Sequence, residues 1–301
     1  MRVFVTGASG HIGSAVIPEL IEAGHSVTGL ARSDSSAATL ESWGAEPLRG
    51  TLDDLDILRS AAAASGGVIH LAFKHEAMQT GDMAGAVAAD LRAIEAMLDA
   101  LAGTGKPFVG TSGTLLLAMA APGQTGTEAD SLPGGGRADA ENLVVATASR
   151  GVRTSVIRLP PTVHSSLDHH GFIPTLIGFA RAKGVSGYVG DGTSRWPAGH
   201  TLDAAHLYRL ALESAPAGSR LHAVGDEGVP FKEIAAAIGR NLNVPVTSVE
   251  REDAAEQFSF LGDFVQLDNP TSSEATQAIL GWKPEHPGLI ADLDEGHYFN
   301  G

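Results

Sequence analysis

A glycine-rich segment, TGASGHIG, occupies Thr6–Gly13, between a predicted strand and a predicted helix. Glycines three residues apart permit a tight turn, let the backbone approach a pyrophosphate closely and let the helix pack on the strand. The free N–H groups and the positive end of the helix then face the phosphates. The segment therefore predicts a dinucleotide site whose contacts come from Gly7, Ser9, Gly10, His11, Ile12 and Gly13.

The end of the second predicted strand indicates which dinucleotide is preferred. An acidic residue there would bind the ribose 2′-hydroxyl of NAD(H), but this chain has Arg32 followed by Ser33. A guanidinium matches a 2′-phosphate in shape and charge, and the serine hydroxyl adds a donor. Asp34, the next residue, is expected to point to solvent or to cap the following helix. We therefore expect NADP(H) to be preferred over NAD(H).

Polar side chains follow two further strands, at the edge of the sheet where ligands bind. Lys74 and His75 come after the fourth strand, and both are candidate proton donors. An imidazole titrates near neutrality without any tuning by its surroundings. Thr111 and Ser112 end the fifth strand. We expect Ser112 to polarise a substrate oxygen as a catalytic residue, and Thr111 to contact the substrate.

Three histidines lie on the stretch that is expected to cover the substrate: His164, His169 and His170. Imidazoles in this place would orient a carbonyl or a hydroxyl group, so all three are candidate substrate contacts. Trp196 is a fourth. No His-Glu-x-x-His segment or carboxylate pairing supports a metal centre, and no metal is predicted.

Short apolar runs alternate with longer segments of helical period, and this alternation must position the polar residues. In Ala84–Leu101 the apolar residues recur every three or four positions, which indicates an amphipathic helix. Strand–helix alternation predicts parallel strands joined by right-handed crossovers, and hence an open doubly wound sheet covered on both faces. The predicted strands are Arg2–Thr6, Ser26–Ala31, Glu46–Leu48, Gly67–Ala72, Pro107–Thr111, Thr154–Leu159 and Arg220–Val224.

The rhythm changes after Leu159, where two prolines interrupt the chain. The predicted fold class is α/β: a doubly wound parallel sheet with a smaller C-terminal substrate lobe. Residues 1–159 and 200–225 are assigned to the dinucleotide-binding domain, and residues 160–199 and 226–301 to the substrate-binding lobe. The later predicted helices are Ile173–Lys183, Thr201–Glu213, Phe231–Leu242 and Ser272–Leu280.

Taken together, these segments resemble the extended and atypical short-chain dehydrogenase/reductases, also called the NAD-dependent epimerase/dehydratase group. The resemblance covers most of the chain. It implies a Rossmann-type sheet with the small lobe over the nicotinamide, and a cofactor contact from Leu71. The matching segments are Thr6–Gly13, Val68–Ala72, Val109–Gly113, Val156–His164 and Leu280–Pro284.

The family's chemistry normally uses Ser, Tyr and Lys, with the last two as Tyr-x-x-x-Lys on the helix after the fifth strand. Ser112 matches by its Thr-Ser-Gly context, but the pair does not: alignment through Glu141 puts Pro133 in place of the tyrosine and Arg137 in place of the lysine. By this resemblance Arg137 is expected to bind ribose hydroxyls, although a guanidinium is not a tunable ammonium. Either another group handles the proton, or there is no turnover.

Composition excludes several other classes of protein. The 301 residues contain no cysteine, which rules out disulfides, thiolate catalysis and metal sites built on thiolates. Thirty-five acids against 20 bases give a net charge of −15, a poor surface for nucleic acid. No apolar run reaches the roughly 20 residues of a membrane span. A cytoplasmic protein is expected.

The leading functional prediction is an NADP(H)-dependent oxidoreductase that acts on a carbonyl or alcohol of a small, largely apolar molecule. Ser112 would polarise the oxygen, and Lys74 or His75 would supply the proton. A redox sensor that binds NADP(H) without turnover is the first alternative, because the tyrosine and lysine are missing. A nucleotide-sugar epimerase or dehydratase is the second. Helices on the fourth and fifth strands often pair in this family, so the expected assembly is a homodimer.

Overall fold

The computed structural model describes residues 1–75 and 81–300. Seven strands form one sheet in the order β10-β6-β5-β4-β1-β2-β3, and every neighbouring pair is parallel. This order confirms the predicted doubly wound parallel sheet. The strands of the large sheet are β1 (Arg2–Thr6), β2 (Ser26–Ala31), β3 (Glu46–Arg49), β4 (Gly67–His70), β5 (Pro107–Gly113), β6 (Arg153–Leu159) and β10 (Ser219–His222).

Helices cover both faces of this sheet because its strands are apolar on both sides. On one face, Val5 and Ile69 belong to the core against which the first and eighth helices pack. On the other, Phe4 and Val68 pack with the third, fourth and sixth helices. The helices are α1 (His11–Glu22), α2 (Asp34–Ser42), α3 (Leu55–Ala64), α4 (Met83–Leu101), α5 (Leu115–Ala120), α6 (Arg137–Ala146), α7 (Phe172–Lys183), α8 (Thr201–Ser214), α9 (Phe231–Leu242), α10 (Ala254–Phe258), α11 (Glu274–Leu280) and α12 (Leu289–Asp294).

The strands that follow β6 in the chain, apart from β10, form two smaller sheets. One has the order β11-β9-β7, with β11 antiparallel to β9, and the other pairs β12 with β8. Helices α7, α9 and α10 pack into a second core with these strands. The predicted lobe boundaries stay a prediction. The strands are β7 (Thr162–His164), β8 (Ser186–Val189), β9 (Arg195–His200), β11 (Asp226–Pro230) and β12 (Val246–Val249).

The predicted elements differ from the observed ones mainly at their ends. The predicted fourth strand runs to Ala72, whereas β4 ends at His70 because Leu71 and Ala72 bend around the glycine turn. The predicted strand Arg220–Val224 is shifted to Ser219–His222, and the predicted helix from Ser272 begins at Glu274. Among the described residues, no helix has both the length and the apolar character that crossing a membrane requires.

Candidate functional site

The glycine turn between β1 and α1 has no room for side chains. Gly7 has φ +66°, and a Cβ atom there would lie 2.7 Å from the backbone nitrogen of Ala72, in the segment that continues from Leu71. A Cβ atom on Gly13 would lie 2.5 Å from the carbonyl carbon of Ala8 and closer still to its oxygen. The first glycine therefore allows the turn to touch the end of β4, and the last allows α1 to start against the turn.

The start of α1 is open toward the carboxyl edge of the sheet. Its N-cap is Gly10, which has no side chain to bind the first N–H groups, and the first turn carries no acid. Ser9, His11 and Ile12 beside it are all partly exposed. These unsatisfied donors and the helix dipole suit a diphosphate. The six residues predicted for this contact thus lie together, and they fit a dinucleotide.

The turn after β2 contains the residues that were predicted to select the cofactor. Arg32 is exposed at the end of the strand. Ser33 is the N-cap of α2: its Oγ accepts from Ser36 N at 3.1 Å and donates to Ser36 Oγ at 3.0 Å. Asp34 therefore does not cap the helix, and its carboxylate pairs with Arg49 at 2.9 Å. The one acidic side chain of this turn is neutralised by a guanidinium.

The direction of the strand order in the large sheet changes between β1 and β4. On the β4 side of this point a cationic side chain, that of Arg137 at the start of α6, lies against the segment that follows β4. The guanidinium carbon of Arg137 lies 4.3 Å from the centre of the Phe73 ring, a cation–π contact. The His75 ring packs edge-on against Phe73 at 5.2 Å. Burial, and then the charge of Arg137, lower the pKa of His75. Arg137 and His75 are thus brought together, and Phe73 gives the pair an apolar floor.

Under this group, a chain of hydrogen bonds ties the ends of β1, β4 and β5 together. The buried His70 ring binds Thr6 Oγ1 at 2.7 Å and Asp90 of α4 at 2.9 Å. Thr111 Oγ1 donates to the His70 carbonyl at 2.7 Å and accepts from the Tyr208 hydroxyl at 2.8 Å. Burial raises the pKa of Tyr208. The hydroxyl proton of Thr111 is therefore already used in a hydrogen bond. Thr111 Oγ1 can only accept a hydrogen bond from a substrate.

His70, Asp90 and Tyr208 were not predicted as site residues. His70 lies in the apolar segment Val68–Ala72 at the end of a predicted strand. A histidine within such an apolar segment is a signal that the sequence offered. Asp90 and Tyr208 lie on helices, 20 and 138 residues further along the chain from His70. Nothing in their local sequence indicates that they meet it.

The structure places Lys74, predicted as a proton donor, in an ion pair with Asp53. Its Nζ binds both carboxylate oxygens of Asp53, at 2.7 and 2.9 Å. Asp53 follows β3, at the opposite end of the sheet from β5 and β6. The side chain therefore points toward the adenosine half of a dinucleotide site, away from Arg137 and His75.

The structure places Ser112, predicted to polarise a substrate oxygen, in a buried position. Its Oγ has no hydrogen-bond partner among the described residues, and it lies close enough to the Glu141 carboxylate on α6 to contribute to the lowering of its pKa. Side chains alternate between the faces of a strand, so Ser112 and Thr111 point to opposite sides of the sheet. Burial alone would raise the pKa of Glu141, but Arg158 holds it below its ordinary value. Ser112 thus belongs to a buried polar interface in this structure.

The predicted histidine segment lies against the glycine turn. His169 and His170 are exposed, and their charges and that of His164 add to burial in lowering the pKa of His11 to about 4. His11 Nε2 contacts Thr201 Oγ1 at 2.9 Å, and its Nδ1 lies 3.7 Å from Asp168. Segment 164–170 therefore covers the phosphate end of the site.

The side chain of His164 itself is fully buried and does not reach solvent. Its Nδ1 binds Asp292 at 2.9 Å, and its Nε2 has no hydrogen-bond partner among the described residues. Asp168, near the same segment, is also buried, and burial raises its pKa to about 6. Asp292 comes from α12, and its approach to His164 left no sign in the local sequence.

Trp196 was predicted to contact the substrate, and the structure contradicts this. Its side chain is fully buried, packs edge-on against Phe231 at 5.1 Å and donates from Nε1 to the Phe264 carbonyl at 3.2 Å. A large aromatic side chain that satisfies its one donor inside a core stabilises that core. Trp196 is therefore a core residue of the smaller sheets.

Comparison with known families gives one match over most of the chain. The sequence profile of the NAD dependent epimerase/dehydratase family matches residues 3–224. This range includes the glycine turn, helix α8 and the seven strands of the large sheet except for Arg2, the first residue of β1.

Two curated relatives differ in what their names say. An uncharacterized protein of Schizosaccharomyces pombe is 49% identical over 301 residues, which cover 99% of this chain and 100% of the relative. A 4-hydroxy-2-methyl-3-oxo-4-farnesyl-3,4-dihydroquinoline-1-oxide ketoreductase of Stigmatella aurantiaca is 30% identical over 226 residues. That match covers 72% of this chain and 66% of the ketoreductase.

A solved structure has the same fold over nearly the whole chain. The dTDP-glucose 4,6-dehydratase DesIV from Streptomyces venezuelae, determined with bound NAD, superimposes with a TM-score of 0.77. The match covers 99% of this chain and 96% of DesIV, at 18% sequence identity. At this identity the likeness shows the shared architecture.

Proposed function

The chain belongs to the NAD-dependent epimerase/dehydratase family, and from that premise we propose that it is an NADP(H)-dependent reductase that interconverts a carbonyl and an alcohol on a small, largely apolar molecule. The family is defined by its dependence on a nicotinamide dinucleotide, and the chemistries in its name are epimerisation and dehydration. The preference for NADP(H), the reaction and the substrate class are the proposal.

The observation that carries the proposal is the group formed by Phe73, His75 and Arg137. In doubly wound sheets the ligand lies across the switch in strand order, here between β1 and β4. Arg32 then faces the adenosine half and Arg137 the nicotinamide half. Carbonyl reduction needs a fixed positive dipole or charge at the oxygen and a nearby proton donor. Arg137 and His75 supply both beside an apolar ring.

When bound, the nicotinamide supplies or accepts the hydride. Arg137 stabilises the negative charge that develops on the substrate oxygen, and its contact with Phe73 fixes the guanidinium. His75 donates the proton in the direction of reduction. Ser112 and Lys74 have no part in this revised assignment, because one is buried against Glu141 and the other is bound by Asp53.

The preference for NADP(H) rests on the turn after β2. Arg32 occupies the position at which NAD-binding sheets place an acid. The adjacent carboxylate, that of Asp34, is paired with Arg49 at 2.9 Å and is therefore less repulsive toward a 2′-phosphate. One relative of this chain is named as a ketoreductase, and that name supports carbonyl reduction as the proposed reaction.

The alternative is binding of NADP(H) without turnover. The specific observation in its favour is that Pro133 and Arg137 stand where the family places its catalytic tyrosine and lysine. The proposal and this alternative agree on cofactor binding and differ only in catalysis.

The first test measures cofactor affinity. We expect NADPH to bind more tightly than NADH to the wild type, and Arg32→Ala to weaken NADPH at least roughly 10-fold while leaving NADH almost unchanged. Arg59→Ala is the matched control, because Arg59 is another exposed arginine, and its partner Asp56 lies with it on α3 rather than at the turn after β2. Tighter binding of NADH by the wild type would refute the preference.

The second test measures consumption of NADPH by absorbance with a panel of aldehydes, ketones and imines. We expect turnover with an apolar carbonyl compound, and at least roughly 100-fold slower turnover in Arg137→Met when both proteins are saturated with NADPH. NADPH binding with no consumption across the panel would support the non-catalytic alternative instead.

A further inference from the structure

The last residues of the chain pack against the segment that covers the phosphate end of the cofactor site. A short 3₁₀ helix, His297–Phe299, follows α12. Within it, the ring of Tyr298 is partly buried and packs against the second core, which contains α7, α9 and α10. Arg181 of α7 donates from Nη2 to the carbonyl of Phe299 at 3.0 Å. This C-terminal turn is therefore fixed on the second core.

The Tyr298 hydroxyl makes two hydrogen bonds to segment 164–170. It accepts from the backbone N–H of Ser165 at 3.1 Å and donates to Asp168 Oδ2 at 3.3 Å. Burial, and then the charge of Asp168, raise the pKa of Tyr298. The hydroxyl therefore keeps its proton and remains a donor. One side-chain group thus holds two points of the covering segment.

The turn from Ser165 to Asp168 is held together by its own hydrogen bonds. Asp168 N donates to the Ser165 carbonyl at 2.9 Å, and Leu167 N donates to Ser165 Oγ at 3.1 Å. Asp168 Oδ1 accepts from the backbone N–H of Gly171, the N-cap of α7, at 2.7 Å. Because the turn keeps its own shape, we expect hydrogen bonds made on one side of it to restrict the whole segment.

The opposite side of this turn faces the start of α1. Ser165 Oγ donates to Thr201 Oγ1 at 2.8 Å, and Thr201 Oγ1 lies 2.9 Å from His11 Nε2. His11 Nδ1 lies 3.7 Å from Asp168 Oδ1. His11 is the first residue of α1, whose free N–H groups suit a diphosphate. A chain of contacts therefore connects Tyr298 with the residue at the phosphate end of the site.

We propose that Tyr298 is a positioning residue of the dinucleotide site: its hydroxyl holds segment 164–170 over the phosphate end and thereby slows release of the cofactor. The proposal rests on the dinucleotide site of the proposed function and uses neither its proton donor nor its substrate. Because the segment covers the start of α1, it must move away before the cofactor can leave. That movement breaks both hydrogen bonds of the hydroxyl, so their strength sets how often the site opens.

A purely structural role for this hydroxyl makes a different prediction. If it only stabilises the fold, its removal lowers the melting temperature and leaves the rate of cofactor release unchanged. Tyr188→Phe is the matched control for Tyr298→Phe. Tyr188 is also a partly buried tyrosine that packs against the second core, but it lies on β8. Both substitutions keep the aromatic ring and remove only a hydroxyl group.

The first experiment is stopped-flow displacement of bound NADPH by excess NADP⁺, followed by NADPH fluorescence, in the full-length proteins. We expect Tyr298→Phe to release NADPH at least roughly 5-fold faster than the wild type, because each of the two hydrogen bonds is worth a factor of roughly 2 to 12. Tyr188→Phe should release it at the wild-type rate. Circular dichroism checks that both variants fold. Equal release rates in Tyr298→Phe and the wild type would overturn the proposal.

The same displacement with NADH and NAD⁺ is used if the wild type prefers NADH. A wrong cofactor preference and a wrong role for Tyr298 therefore give different results. Reductase activity enters neither measurement, so a protein that binds the cofactor without turnover is tested equally well.

Amide hydrogen exchange of the wild type gives a second test that needs no variant. Saturating NADPH should slow exchange in segment 164–170 and in the C-terminal turn together, because the Tyr298 hydroxyl connects them. Slower exchange in the glycine turn alone would overturn the role of Tyr298 and leave the dinucleotide site standing. No slowing anywhere, with no binding of either dinucleotide, would overturn both.

Discussion

Replacing Glu141 with glutamine should destabilise the protein strongly, because it removes the charge that balances a buried arginine. Arg158 donates to Glu141 Oε2 at 3.0 Å and to Oε1 at 2.5 Å, and both side chains are fully buried. Arg220 adds a third contact to Oε1 at 3.0 Å. In Glu141→Gln one oxygen is replaced by an NH₂ group that faces an arginine donor.

The expected magnitude follows from the burial of the pair. Breaking a buried ion pair by removing one partner costs about 3–5 kcal/mol. Arg158 keeps its bonds to the carbonyls of Thr127 and Asp130, at 3.3 and 2.7 Å, so the lower end applies. We expect Glu141→Gln to lower the free energy of unfolding by about 3 kcal/mol, or roughly 100-fold in the equilibrium constant.

Urea unfolding followed by circular dichroism measures this change. Glu95→Gln is the control, because Glu95 is an exposed residue of α4. The pKa of Glu141 is below its ordinary value of 4.5, so its stabilising effect is complete above that pH and is lost as the pH falls through the folded pKa. The difference between wild type and variant should therefore be constant near neutrality and shrink in acid.

The double variant Glu141→Gln/Arg158→Met isolates the pair. If the ion pair is the cause, the free energies of unfolding lost in the two single variants should add up to more than the loss in the double variant. The difference should be at least about 1.5 kcal/mol. A loss below about 1 kcal/mol in Glu141→Gln would refute the reasoning, since exposed substitutions usually stay within ±0.5 kcal/mol.

Three further predictions concern the candidate site. Gly13→Ala should weaken NADPH binding at least roughly 100-fold, because its Cβ overlaps the Ala8 backbone, whereas Gly178→Ala, where a Cβ meets nothing within 4 Å, should bind normally in the same calorimetric titration. Asp168→Asn should stabilise the protein by roughly 2–3 kcal/mol above pH 6 in thermal melts, because burial raises the pKa of Asp168 to about 6. This gain in stability should vanish toward pH 4, where the carboxyl group of the wild type is protonated in the folded state. An equal gain at both pH values would contradict the explanation. Reduction should slow as the pH rises through the lowered pKa of His75, below 6.5, and His75→Gln should lose that dependence; an unchanged pH–rate profile would exclude His75 as the donor.

Features that depend on neighbours along the chain were predicted well. β1, β2 and α9 have the predicted bounds, and the strand–helix alternation is confirmed in the parallel sheet. The requirement for small residues in Thr6–Gly13 arises from contacts at the end of the adjacent strand, which any βαβ unit of this kind makes. Periodicity and turn chemistry act over a few residues, so they can be read directly.

The partners of polar side chains could not be predicted in this way. Lys74 and His75 are consecutive, but one is bound by Asp53 and the other packs beside Arg137. Thr111 and Ser112 point to opposite faces of the sheet, and which face holds the open site depends on the helices that cover it.

The sequence by itself determined the architecture, the dinucleotide turn and the absence of the tyrosine and lysine that the family normally uses. Only the tertiary structure decided which polar groups are free to act and which are buried in pairs. His164 and Asp292 are 128 residues apart, and His286 and Asp203 are 83 apart. Burial makes each of these pairs necessary, and burial is a property of the packed chain rather than of any short segment of it.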